Sequence, residues 1–243
     1  MGTAISIDLI DGPPDSEHLV TTAFEWFSEV DALFSTFKVD SEVSRIDRGQ
    51  LALEHASLDV QQVFDRCAAM WTATGGYYDV QATGKLDPSG YVKGWAVQVA
   101  SDRLLSSGAA NHSINAGGDV RVRGVDADGT PWRIGIRHPW EQDRVAWVLV
   151  GTDLAVATSG TYERGLHVID PFTGSPAEQL ASVTVTGPDL GIADAYATAA
   201  MAMGTRCIGW LASVGAAQGL ESAVITDSGE AYRSDGLPVA EST

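Results

Sequence analysis

Two short segments about a hundred residues apart carry side chains that could do chemistry together. Ala193-Asp194-Ala-Tyr-Ala-Thr198 sets a carboxylate and a hydroxyl at i and i+4, one face of a helix. Two oxygen ligands so placed suit a hard cation such as Mg²⁺. Asp87-Pro-Ser-Gly90-Tyr-Val-Lys93-Gly94 offers an acid, a turn with accessible backbone and a lysine, a set that suits a phosphate-bearing ligand. Each segment also has a structural reading. Asp194 could cap its helix and Thr198 could bond back to a carbonyl within it. Asp87 to Gly90 could be a turn into a helix, with Lys93 solvated. A nucleotide phosphate loop is excluded, because Lys93 is followed by Gly94 and not by Ser or Thr. Asn115-Ala-Gly-Gly-Asp119 is either a tight turn between strands or a backbone approach to a ligand. Ser159 lies in no Gly-x-Ser-x-Gly elbow, and His167 within a strand is most often a packed histidine.

The elements that position these residues follow from periodicity. Thr3 to Ile10 alternates as a strand, and Gly12 to Asp15 breaks it. Glu17 to Phe34 has helical spacing, with Asp15 or Ser16 as cap. Phe37 to Asp47 reads as irregular. A second helix covers Ser57 to Thr74, capped by Ser57 and ended by Gly75-Gly76, and a third covers Val92 to Ser106. Strands are expected at 113–115, 120–125, 132–137, 145–150, 154–158, 166–169, 182–186 and 222–226. Helices are expected at 192–204 and 208–214. Helices interleaved with antiparallel strands argue one α+β domain over residues 1–243, loose after about Arg233.

The 243 residues suffice for one sizeable core. The net charge of −17 argues against nucleic acid, whose phosphates need clustered cations. It also makes the three lysines, Lys38, Lys85 and Lys93, the notable cations for an anionic ligand. Cys67 and Cys207 read as buried free thiols, and no Cys/His spacing fits zinc. No apolar run is long enough to span a membrane. The chain as given is expected in the cytoplasm; the alternative is export, with a leader absent from this sequence.

Several further motifs stand in order along the chain: Met1-Gly-Thr3, Phe34-Ser-Thr-Phe37 with Asp40 to Arg45, Thr74-Gly-Gly-Tyr77-Tyr78-Asp79, Gly135 to Pro139, Ala157-Thr-Ser-Gly160 and His167 to Gly174. With the two segments above and Asn115 to Asp119, this series resembles the ApbE family of FAD:protein FMN transferases, from Met1 to about Gly204. The resemblance implies a T-fold-like domain with antiparallel sheets packed by helices. It implies Mg²⁺ as cofactor and FAD as substrate. The FMN half is passed through a phosphoester bond to a threonine or serine of a target protein, with release of AMP. The family's acceptor motif ends in Ser-Gly-Ala-Thr or Ser. Some members instead hydrolyse FAD to FMN and AMP; a flavin-binding protein without catalysis is the reading from another class. Carried over residue by residue, Asp194, Thr198 and the backbone at Gly90 are Mg²⁺ ligands. Met1, Phe37, Tyr77, Tyr78, Asp79, Asp87, Lys93 and Val168 are FAD contacts, and His167, with Asp194, is catalytic through activation of the acceptor hydroxyl. The family often has tyrosine where Phe37 stands, and phenylalanine keeps the stacking face without the hydroxyl.

Overall fold

Alternation along the strands builds two cores on opposite faces of one sheet. The structure, a computed structural model, describes residues 2–141, 143–161 and 168–241. Among these residues an antiparallel sheet runs in the order β1 (Ile5–Ile10), β2 (Asn111–Ala116), β3 (Asp119–Arg123), β6 (Asp153–Gly160), β7 (Leu180–Gly187), β8 (Glu221–Thr226) and β9 (Ala231–Arg233). The remaining strands, β4 (Trp132–Arg137) and β5 (Val145–Gly151), pair with each other. In β6, Ala155 and Ala157 turn toward the helices, while Leu154 and Val156 turn toward β4 and β5. That is the period-2 geometry of a strand with both faces covered. The molecule is one α+β domain, as the interleaved periodicities require.

Six helices among the described residues are α1 (Ser16–Phe34), α2 (Glu42–Asp47), α3 (Leu58–Ala73), α4 (Ser89–Ser106), α5 (Leu190–Met203) and α6 (Cys207–Gln218). α1 buries Ala23, Trp26, Phe27, Val30 and Phe34 along one stripe, and the Trp26 indole donates to the Ala96 carbonyl at 2.9 Å. α5 is buried nearly throughout. Its alanines allow close approach, and α4 meets it at glycine: a Cβ on Gly94 would lie 2.3 Å from the Leu190 carbonyl oxygen and 2.9 Å from the Asp194 Cβ. Small residues at a helix contact bring the backbones together, and here they bring the two functional segments together.

Several boundaries differ from expectation for identifiable reasons. The irregular stretch Phe37 to Asp47 contains α2, whose six residues are too few for periodicity to register. The Ser41 hydroxyl oxygen caps it by accepting the Ser44 N–H at 3.1 Å. Neither Asp15 nor Ser16 caps α1 through its side chain. Ser57 precedes α3, but its N–H and hydroxyl both donate to the Glu42 carboxylate, at 2.8 and 2.9 Å. α4 begins three residues before Val92, and β9 adds an edge strand too short to read. Residues 234–241 are docked rather than loose. Leu237 is 5% exposed in the smaller core, Val150 N–H donates to the Pro238 carbonyl at 2.8 Å, and Ala240 N–H donates to the Val148 carbonyl at 2.7 Å. The apolar residues here, Leu237, Val239 and Ala240, follow Ser-Asp-Gly and are interrupted by Pro238, a run too short to give a periodic signal. Of the strand expected at 166–169, only Val168 and Ile169 are described, and Ile169 bridges Pro176. Both cysteines are free and buried.

Candidate active site

Asp189, at the N-cap of α5, accepts the Ile192 N–H at 2.8 Å. Asp194 is therefore released from the capping role and stands inside the helix, 3% exposed. Its Oδ2 accepts the Gly94 N–H at 3.1 Å, across to α4. Thr198 lies one turn further on and rests on Gly90, where a Cβ would be 2.8 Å from the Thr198 Oγ1. The carboxylate, the hydroxyl and the Gly90 backbone thus share one seam between α4 and α5.

Asp119, at the start of β3, completes the seam. It is fully buried, and its Oδ1 accepts the Thr158 N–H at 3.2 Å. Its Oδ2 has no aligned hydrogen-bond donor and lies 3.0 Å from the Lys93 Nζ. Burial pushes the Asp194 carboxyl well above the usual range, and the neighbouring Asp119 charge adds to the rise; Lys93 and the Gly94 N–H oppose it. Burial also raises Asp119, against Lys93. With both carboxyls ionised, the pair outweighs the one ammonium and leaves an excess of negative charge, so burial favours keeping a proton on the pair. A divalent cation would relieve that excess directly. Among the described residues no three His, Cys, Asp or Glu side chains cluster to hold a metal. The set here is instead one carboxylate, one hydroxyl and backbone, which fits Mg²⁺ because that ion keeps waters and substrate phosphate oxygens as its other ligands.

The seam opens into a cleft of about 160 Å³ lined by Tyr77, Tyr78, Asp79, Asp87, Ser89, Gly90, Lys93, Thr158, Ser159, Gly160, Val168, Asp194 and Thr198, among others. A second hollow of about 150 Å³ adjoins it, lined by Gly2, Val30, Phe34, Ser35, Thr36, Phe37 and Val92. Asp87, Ser89 and Lys93 line both. The N-terminus of α4 is therefore the divide, where the helix dipole favours anions. An extended molecule with an anionic middle and two flat ends matches this shape.

The sequence candidates sort by what their polar atoms already do. Asp87 Oδ1 accepts the Ser89 N–H at 3.0 Å, and Asp79 Oδ1 accepts the Gln81 N–H at 2.8 Å, so both acids shape turns while lining the cleft. The Tyr78 ring is 3% exposed; its hydroxyl lies 3.5 Å from Cys67 Sγ and donates to the Pro88 carbonyl at 3.4 Å. Burial raises its pKa well above the ordinary value. Tyr78 thus offers the cleft a ring surface rather than a hydroxyl. Phe37 lines the second hollow and is 94% exposed, its face open for stacking. Met1 and His167 lie outside the described residues. Thr158, Ser159 and Gly160 line the cleft, and Asp119 is buried behind it on Lys93; none of the four was singled out as a site residue. Their signals were present in Gly117-Gly118-Asp119 and Ala157 to Gly160, but strand turns explain such runs equally well.

Known proteins resemble the chain in sequence and in fold. The model of the ApbE family matches residues 1–84 and 81–223. A stretch of 129 residues, 49% of the chain, is 40% identical to the FAD:protein FMN transferase of Vibrio cholerae and spans 39% of that relative's length. The FAD:protein FMN transferase of Rhodobacter capsulatus is 36% identical over 157 residues, 61% of the chain and 29% of the relative. Among solved structures, the flavin transferase ApbE from Vibrio cholerae superposes with a TM-score of 0.84 at 29% identity, covering 97% of this chain and 94% of that one. The ApbE protein from Thermotoga maritima shares the fold, with a TM-score of 0.85 at 23% identity over 96% and 94% of the two chains. With a family model matched across most of its length, the chain belongs to the ApbE family.

Proposed function

We propose that the chain is a Mg²⁺-dependent FAD:protein FMN transferase, passing FMN to a threonine or serine hydroxyl of a target protein and releasing AMP. The observation that carries this reading is the pair of hollows joined across the α4 N-terminus by Asp87, Ser89 and Lys93, beside the Asp194–Thr198 seam. FAD has the matching form, two aromatic ends joined by a pyrophosphate. Relatives covering part of the chain carry the same name.

In this reading Lys93 and the α4 N-terminus hold the pyrophosphate, and Asp119 fixes the Lys93 ammonium from below. Asp194, Thr198 and the Gly90 backbone would hold Mg²⁺, which supplies charge neutralisation to the phosphate oxygens. The acceptor hydroxyl oxygen forms a bond to the FMN phosphorus, and the bond from that phosphorus to the bridging oxygen breaks. The AMP half leaves with that oxygen. The hydroxyl proton passes to His167, the base that the sequence resemblance assigns. Tyr77 and Phe37 provide faces for the ring systems.

Incubation with FAD, Mg²⁺ and a protein carrying the Ser-Gly-Ala-Thr motif tests the reading. The acceptor should gain the mass of one FMN while AMP accumulates. FMN appearing free, with an unmodified acceptor, would replace transfer by FAD hydrolysis; intact FAD would reduce the chain to a flavin-binding protein. His167→Ala should lower transfer by roughly 10²–10⁴-fold while leaving FAD affinity near the original. A variant that loses affinity but keeps its rate at saturating FAD removes His167 from the role of base.

A further inference from the structure

Beside the cleft, side chains from separate parts of the chain form an exposed aromatic patch. Trp71, near the end of α3, is 53% exposed, and Phe172, in the turn between Ile169 and Pro176, is 64% exposed. They meet over Gly76, where a Cβ would lie 3.2 Å from Phe172 Cζ and 3.7 Å from Trp71 Cε2. The Phe172 ring packs on Tyr77 with centroids 4.7 Å apart, and the Arg206 guanidinium lies 5.3 Å from the Tyr77 ring centroid. Tyr77 is also a wall of the cleft, so patch and cleft are continuous.

The exposed Phe172 ring is held in place. Asp170 Oδ1 accepts the Phe172 N–H at 2.9 Å, the Asp170 carbonyl accepts the Gly174 N–H at 2.8 Å, and Asp170 N–H donates to the Ser175 carbonyl at 2.9 Å. Single exposed aromatics are ordinary on protein surfaces. Contiguous aromatics with an arginine, fixed before any partner arrives, have the composition of an interface centre. Charge points the same way. The chain carries −17, yet here Arg206 faces Asp170 at 3.7 Å, so that pair is neutral and apolar contact is what the patch offers.

We propose that Trp71, Phe172 and Arg206 form the docking rim for the acceptor protein, which seats apolar side chains flanking its hydroxyl residue there while the hydroxyl enters the cleft past Tyr77. The proposal rests on the transferase reading, since only transfer needs a macromolecular acceptor. The test uses the double variant Trp71→Ala/Phe172→Ala. Its affinity for FAD with Mg²⁺ is measured by calorimetry, and its transfer rate is measured against concentration of a protein carrying the Ser-Gly-Ala-Thr motif. Unchanged FAD affinity with an acceptor KM raised about tenfold or more, and recovered in Trp71→Phe/Phe172→Tyr, supports the rim. Weakened FAD affinity would make the patch a nucleotide wall and overturn the proposal. An unchanged acceptor KM would overturn it while leaving the transferase reading in place. Absence of transfer by the unsubstituted chain would remove that reading, and the rim with it.

Discussion

Asp194 shows how far a residue can be read before its surroundings are known. From sequence it was either a helix cap or a metal ligand, because both roles place a carboxylate early in a helix. Asp189 decides between them by taking the cap. What spacing could not reveal is Asp119, 75 residues away in the chain, since two carboxylates share a seam only after β3 and α5 meet. Asp194→Asn keeps the shape and an acceptor for the Gly94 N–H but removes one charge from a buried pair. The variant should therefore fold at least as stably as the parent at neutral pH without metal. Its Mg²⁺ affinity, measured in the presence of FAD, should drop at least about tenfold, or about 1.4 kcal/mol. Parental Mg²⁺ affinity in the variant would remove Asp194 from the metal site. A second buried group makes a pH prediction. The His112 ring is fully buried, with Nδ1 2.8 Å from the Ala109 carbonyl and Nε2 2.7 Å from the Ser101 hydroxyl. Burial, and then the nearby Arg123 and Arg121 charges, depress its pKa, against the Ala109 bond. The folded state thus binds a proton less readily than the unfolded state. The stability this represents is complete above the unfolded value near 6.5 and is lost as pH falls below it. Urea unfolding at pH 7.5 and 5.5 should show a parental advantage over His112→Asn that shrinks at the lower pH; a constant gap would mean that the ring does not titrate in this way.

At the scale of elements, long periodic segments were legible and short or capped ones were not. α1 and α3 declared themselves because their apolar stripes run for several turns, whereas α2 and β9 are shorter than the period that would reveal them. The contact that matters most for the site, α4 against α5, was written in glycines whose meaning depends on what faces them. Gly94 illustrates it. In an exposed helix, Gly to Ala stabilises by up to about 1 kcal/mol. At Gly94 the added carbon would meet the Leu190 carbonyl oxygen at 2.3 Å, and backbone must move. Such overpacking costs about 1–3 kcal/mol, so the sign reverses. Gly209, in α6, meets nothing within 4 Å and serves as the control. Gly94→Ala should lower the melting temperature and weaken Mg²⁺-dependent FAD binding, because Lys93 and Asp194 are carried on the helices forced apart. Gly209→Ala should hold or raise the melting temperature and leave binding alone. Equal behaviour of the two variants would mean that the α4–α5 contact does not set the site.

The whole molecule poses an electrostatic question that composition raises and only the folded chain answers. A protein of net charge −17 repels anions at long range, and a dinucleotide carries its charge in the middle. The fold answers by geometry. It places Lys93 and the α4 N-terminus on the divide between two hollows and sets the excess carboxylate charge of Asp119 and Asp194 directly behind them. Those acids gather a cation, and a cation gathers phosphates, so affinity for nucleotide and for metal should be linked. Thermal unfolding reads this linkage across the single domain. A ligand at 100 times its dissociation constant adds about 2.7 kcal/mol. For a domain of this size that corresponds to a rise of about 5–10 °C. FAD with Mg²⁺ should give such a rise, and chelation of the metal should remove most of it. Riboflavin has one flat end but no phosphates, so it can fill a hollow without touching the divide and should shift the transition far less, with or without Mg²⁺. FMN, with a single phosphate, should fall between. Equal shifts for riboflavin and FAD, or an FAD shift indifferent to chelation, would place the binding energy in the hollows alone and leave the seam between α4 and α5 without its assigned ligand.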